Sequence, residues 1–107
     1  MKFEVFLTID AEEDIFEIYN YIALHDSVEK ADYLFEKLQE TCLSQENYPD
    51  RGHFPPELER INVRDYSEIH FKPYRIIYQV RNKQVFIHCV LDGRRNIQDL
   101  LQERLLR

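Results

Sequence analysis

Two runs of alternating apolar and polar residues, Tyr74–Arg81 and residues 84–91, are separated only by Asn82 and Lys83. A two-residue link between strand-forming runs makes a β-hairpin, and a hairpin fixes which side chains share a face. Counting outward from the link sets Val80 opposite Val85, Tyr78 opposite Ile87 and Ile76 opposite Cys89. All six then lie on one apolar face, which must meet a layer of helices. The reverse face carries Arg75, Ile77, Gln79 and Arg81 beside Gln84, Phe86, His88 and Val90, a mixture of cations, a histidine and apolar side chains.

The first half of the chain supplies the helices. Residues 3–9 are β-branched and aromatic enough for a short strand ending at Asp10. Asp10 and Glu13 have the spacing of a helix cap and its reciprocal partner. Ala11, Ile15, Ile18 and Ile22 then recur in steps of three and four, predicting one buried stripe on a helix that runs to about His25. Ser27 is placed to cap a second helix, with Val28, Ala31, Phe35, Leu38 and Cys42 as its seam. The short link around Asp26 makes the pair an antiparallel hairpin. Residues 47–58 contain Pro49, Gly52, Pro55 and Pro56 without any period and read as a loop, whereas residues 66–71 read as a further strand. After Asp92 and Gly93, Asn96 caps a short helix bearing Ile97, Leu100, Leu101 and Leu105. The expectation is a single α+β domain over residues 1–107: an N-terminal strand and helical hairpin packed on a mostly antiparallel sheet, with a short C-terminal helix.

Charge is divided unevenly along this chain. Residues 1–50 hold 13 acids and 3 bases, whereas residues 51–107 hold 7 acids and 11 bases. The overall net charge of −6 argues against a protein that coats nucleic acid uniformly. A basic second half could still face an anionic partner, or the pattern could be a pair of acidic, solvated helices with ordinary basic scatter elsewhere. Cys42 and Cys89 both sit in apolar patterns and read as core thiols in a reducing compartment. Glu4 and Asp10 interrupt any leader-like apolar run and no stretch has the length of a membrane span, so a cytoplasmic protein away from membranes is expected.

Candidate chemistry gathers around Lys72, Arg75, Arg94 and Arg95 with His70 and His88. Guanidinium groups match phosphate oxygens bidentately, and histidine can move a proton near neutrality, so such a group could hold and cleave a phosphodiester. Equally, Arg75 and Arg81 could be paired with acids, and His88 could be an ordinary strand residue. The spacing of His25, His53, His70 and His88 does not suggest metal ligands, and no motif calls for a cofactor.

The run Phe71-Lys72-Pro73-Tyr74-Arg75-Ile76-Ile77-Tyr78-Gln79-Val80, followed by Val85-Phe86-Ile87 and Asp92-Gly93-Arg94-Arg95-Asn96, resembles the second half of the RelE/ParE superfamily of type II toxin-antitoxin toxins. The acidic first helix with Ala11, Ile15, Ile18, Tyr21 and Ile22 is similar too. So is the connection through Tyr48, Pro49-Asp50-Arg51-Gly52 and Pro55-Pro56-Glu57-Leu58.

Within that superfamily, the RelE-like branch implies a ribosome-dependent mRNA endonuclease, for which Arg75, His88, Arg95 and His70 are the available residues. Family lysine positions fall near Glu68 and His70 here, however, and the tyrosine position near Leu101. The ParE branch resembles this chain better at its end, through Arg94, Asn96, Ile97, Leu101, Arg104 and Leu105. That resemblance implies a toxin that inhibits DNA gyrase by binding it, with Arg75, Arg94, Arg95 and Arg104 as target-binding residues. It also implies a cognate antitoxin, for which Tyr19, Tyr21, Ile77, Phe86 and Val90 are the expected anchors. The alternative partners are the ribosome and mRNA.

Overall fold

The computed structural model describes residues 2–106. Strands β1 (Glu4–Leu7), β2 (Ser67–Phe71), β3 (Tyr74–Arg81) and β4 (Gln84–Asp92) form one sheet of order β1-β4-β3-β2. β1 runs parallel to β4, and the other pairings are antiparallel. Helices α1 (Ile9–His25) and α2 (Val28–Leu43) form the N-terminal hairpin; α3 (Pro56–Glu59) lies in the connection and α4 (Ile97–Leu105) closes the chain. The α+β architecture is the one expected. No helix among the described residues is long and apolar enough to cross a membrane.

Local chemistry sets the helix ends. Thr8, in extended conformation, accepts a hydrogen bond from the Ala11 amide at 3.1 Å and caps α1. The cap therefore lies two residues before Asp10, which is already helical and favours the positive helix end from within the first turn. Ser27 caps α2 as expected, accepting from the Lys30 amide at 3.1 Å. The connection read as a loop over residues 47–58 contains the 3₁₀ turn Pro49–Arg51 and most of α3, and a further 3₁₀ turn, Ser44–Glu46, precedes it. Prolines open Pro49–Arg51 and α3, because proline tolerates the first helical position where no amide bond is needed.

The hairpin link is Asn82-Lys83, with Asn82 at φ 56°, a left-handed conformation that asparagine adopts more readily than most residues. Val80 and Val85 pair as counted, as do Tyr78 and Ile87. Beyond them the register steps, so that Ile77 faces Cys89 and Ile76 faces Val90, with His88 as the extra residue of a β-bulge. The inserted residue reverses the alternation. Val90 turns to the α1/α2 side and Cys89 to the other, which overturns the counted Ile76–Cys89 pair.

Both faces of the sheet are covered. On one side Ala11, Ile15, Leu38 and Cys42 pack against Ile76, Tyr78, Val85, Ile87 and Val90. On the other, Leu58 of α3 and Ile97 and Leu101 of α4 bury Ile77, Cys89 and Leu91. Each fully buried aliphatic side chain contributes about 1.5–3 kcal/mol relative to exposure, so this second layer is a real part of the core. The face expected to be open to partners is largely occupied by the chain's own terminal helix.

Candidate functional site

The four arginines expected to contact the target, Arg75, Arg94, Arg95 and Arg104, sit in different surroundings. Arg75, on β3, is almost enclosed: its guanidinium donates to both carboxylate oxygens of Glu57 at 2.7 Å and to Glu68 at 3.1 and 2.5 Å. Glu57 comes from α3 and Glu68 from β2, where its side chain is 2% exposed. The bond from Arg75 holds the Glu57 carboxyl below its ordinary range, while the Arg75 guanidinium is held more firmly protonated by Glu57 first and, against the opposing effect of burial, by Glu68. A cation shared by two carboxylates has no net charge to offer a phosphate. Arg75, expected as a target-contacting cation, is held by its own two ion pairs in this structure.

Arg104 is likewise engaged. It forms a bidentate pair with Asp14 of α1 at 3.1 Å, lies 3.8 Å from Asp10, and donates to the His88 carbonyl at 3.0 Å. Arg94 is exposed but chelated by Asp92, at 2.9 and 2.6 Å. Arg95, next to it in the β4–α4 turn, is exposed and borders a hollow whose walls include Asp10, Glu13, Asp14 and Glu17. Of the four arginines, only Arg94 and Arg95 present their charge to solvent. Gly93 precedes them because a side chain there would press on Arg75 and on the Pro73 carbonyl, 2.9 Å from its Cβ position.

The histidines divide between two places. His70 pairs with Arg75 across the β2–β3 ladder, and its Nε2 lies 2.5 Å from Glu68 Oε1. His88, the bulge residue, stacks edge-on against Tyr66 at 5.5 Å and sits 3.3 Å from the Gln79 amide oxygen. Burial, with smaller contributions from Arg81 and Arg104, pushes His88 below its usual value and favours the neutral ring. The endonuclease reading needed Arg75, His88, Arg95 and His70 at one centre. Instead, Arg75 and His70 converge on Glu68, whereas His88 belongs to the neighbourhood of Tyr66 and Gln79.

A different surface is open. β1 is an edge strand, and beside it Ile15, Phe16 and Tyr19 of α1 and Phe35, Cys42 and Leu43 of α2 line a cleft of about 750 Å³. Phe6, Phe16, Phe35 and Leu43 remain between 41% and 66% exposed there, an apolar concentration that water solvates poorly. Tyr19 lies within it, donating to Asp32 at 2.6 Å and meeting Phe35 edge-on at 6.2 Å. Phe86 stacks on Phe6 at 5.5 Å. Tyr21 is exposed and packs on His25. Ile77 and Val90, expected as surface anchors, are at most 1% exposed and are corrected to core positions; the bulge buries Val90, and α4 covers Ile77. Sequence reading missed Phe6, Phe16 and Leu43. Phe16 falls off the buried stripe of its helix, one position before Glu17 and one turn after Glu12 and Glu13, and that misplacement of a large aromatic was the available signal.

The family model described as the ParE toxin of the type II toxin-antitoxin system parDE matches residues 5–97. The chain belongs to the ParE toxin family. Among solved structures, a chain of the chromosomal ParDE TA system from P. aeruginosa is similar, with 18% sequence identity and a TM-score of 0.70. The alignment covers 83% of this toxin and 94% of that chain, so the two share a fold throughout most of their length. No curated protein matches the toxin's sequence.

Proposed function

We propose that this ParE-family toxin inhibits DNA gyrase by binding it, and that a cognate antitoxin neutralises it by seating a segment in the cleft beside β1. The observation that carries the binding reading, as opposed to RNA cleavage, is the Glu57–Arg75–Glu68 arrangement. It removes the most central arginine from phosphate chemistry and puts a buried carboxylate beside it. A transition state that gathers negative charge on phosphorus is disfavoured there.

The cleft supports the antitoxin half of the proposal. Its occupant has apolar anchors for Phe16 and Phe35 and basic residues for Glu12 and Asp32 at its rim, and it can also pair with the free edge of β1. Purified toxin added to a gyrase supercoiling assay is expected to block supercoiling, with activity restored by stoichiometric antitoxin. Full supercoiling at saturating toxin, with transcript cleavage in a ribosome-containing translation assay, overturns the gyrase reading.

A further inference from the structure

We propose that His53, Glu68 and His70 form a binding site for one divalent transition-metal ion, zinc by the chemistry of its donors. Glu68 Oε1 faces the Nε2 atoms of both histidines, and one ligand atom from each of the three residues lies within 4.8 Å of the other two. Two imidazoles and a carboxylate are a three-ligand set suited to zinc, leaving a fourth position for water.

The spacing fits a metal of that size. Ligands about 2.05 Å from a tetrahedral ion stand about 3.3 Å apart. His53 Nε2 is already 3.4 Å from Glu68 Oε1. His70 Nε2, at 2.5 Å, must retreat by about 0.8 Å, which a partly exposed ring allows by a small rotation. The two rings stand perpendicular, with centroids 5.3 Å apart, so their nitrogens approach from different directions instead of stacking.

Backbone structure holds the ligands together. His53 and Glu68 exchange main-chain hydrogen bonds of 3.1 and 2.7 Å in an isolated bridge, and His70 lies two residues along β2, on the same face as Glu68. Gly52 permits this contact, since a Cβ there would collide with the Tyr78 hydroxyl and lie 2.8 Å from the Glu68 carbonyl. Arg75 fixes the Glu68 carboxylate by donating to both of its oxygens, Oε1 included, and is itself fixed by Glu57, the kind of supporting shell that orients metal ligands. The two carboxylates offset most of the charge of the guanidinium and a dication. In front, a cleft of about 620 Å³ bordered by Thr41 and Ser44 gives an ion access from solvent. Bound there, the metal clamps the connection after α2 to β2.

The test is zinc titration of the full chain without a histidine tag, by calorimetry, with cobalt absorption as a second readout of coordination. One zinc per chain is expected, with affinity reduced at least about 10-fold by His53→Ala and by His70→Ala and unchanged by His25→Ala. His53 is on an exposed loop, so its replacement keeps the test valid even if changes at Glu68 disturb folding. Absence of saturable binding to the folded protein, or binding undiminished in the His53→Ala and His70→Ala double variant, overturns the proposal. Neither result bears on gyrase.

Discussion

Asp14 and Arg104, 90 positions apart, form a bidentate ion pair across the end of β4. β1 pairs with β4 only as far as Ile87, and past that point side chains satisfy the β4 backbone. Asp14 accepts from the Val90 amide at 3.0 Å, and Arg104 donates to the His88 carbonyl. The pair thus seals the two backbone groups that flank the bulge while tying α4 to α1.

Replacing Arg104 by alanine removes that seal. It leaves Asp14 partly buried without its cation, and burial already raises the Asp14 carboxyl above its ordinary value. A loss of about 2 kcal/mol in urea unfolding is expected, with faster amide exchange along α4. Unchanged stability and exchange would show that the pair is incidental.

The Glu57–Arg75–Glu68 cluster predicts acid sensitivity. The Glu57 carboxyl is lowered chiefly by Arg75, so its stabilisation is present above the unfolded value of about 4.5 and is lost as pH falls through the lower folded value. Asp14, whose value is raised, contributes with opposite sign: its share is present below the unfolded value and declines as pH rises through the folded one. Unfolding free energy attributable to Glu57 therefore decreases as pH falls below about 5. Arg75→Met is expected to destabilise by about 3–5 kcal/mol by stranding Glu68, and pairing it with Glu68→Leu restores most of the loss while flattening the Glu57 contribution. Denaturant midpoints across that range check both statements.

Phe16 and Ile77 separate surface from core. Phe16→Ala is expected to weaken the antitoxin complex by about 10-fold with little change in unfolding free energy, since the ring is 66% exposed. Ile77→Ala, fully buried under α4, is expected to cost about 2–5 kcal/mol of stability. Calorimetry with the antitoxin and chemical denaturation distinguish the two; an Ile77→Ala protein of normal stability would contradict the covered face.

Cys42 and Cys89 are predicted to be inert in the folded toxin. Burial pushes both thiols up to about 12, and neither is paired. A thiol reagent at neutral pH should label them only at the rate of unfolding, and rapid stoichiometric labelling without denaturant would refute this.

Much of the architecture was legible from periodicity. Ala11 and Ile15, the Ser27 cap, and the Tyr74–Arg81 strand with its Asn82-Lys83 link lie where alternation and capping chemistry put them. The candidate site was less legible. Arg75 reads as an exposed cation because its strand position is odd relative to the core, and nothing nearby in sequence reveals Glu57, 18 residues earlier on another element. His53 and His70 have no ligand-like spacing, yet a two-bond bridge between His53 and Glu68 brings them together.

Local hydrogen bonding and side-chain alternation depend on neighbours along the chain, so the sequence alone determined the helical hairpin, the long β-hairpin and the family resemblance. Tertiary structure decided the step in register at His88, the enclosure of Ile77 and Val90, and the acids that occupy Arg75 and Arg104. Those outcomes depend on which elements cover each face of the sheet, and on the need of every buried backbone group and charge for a partner once water is gone.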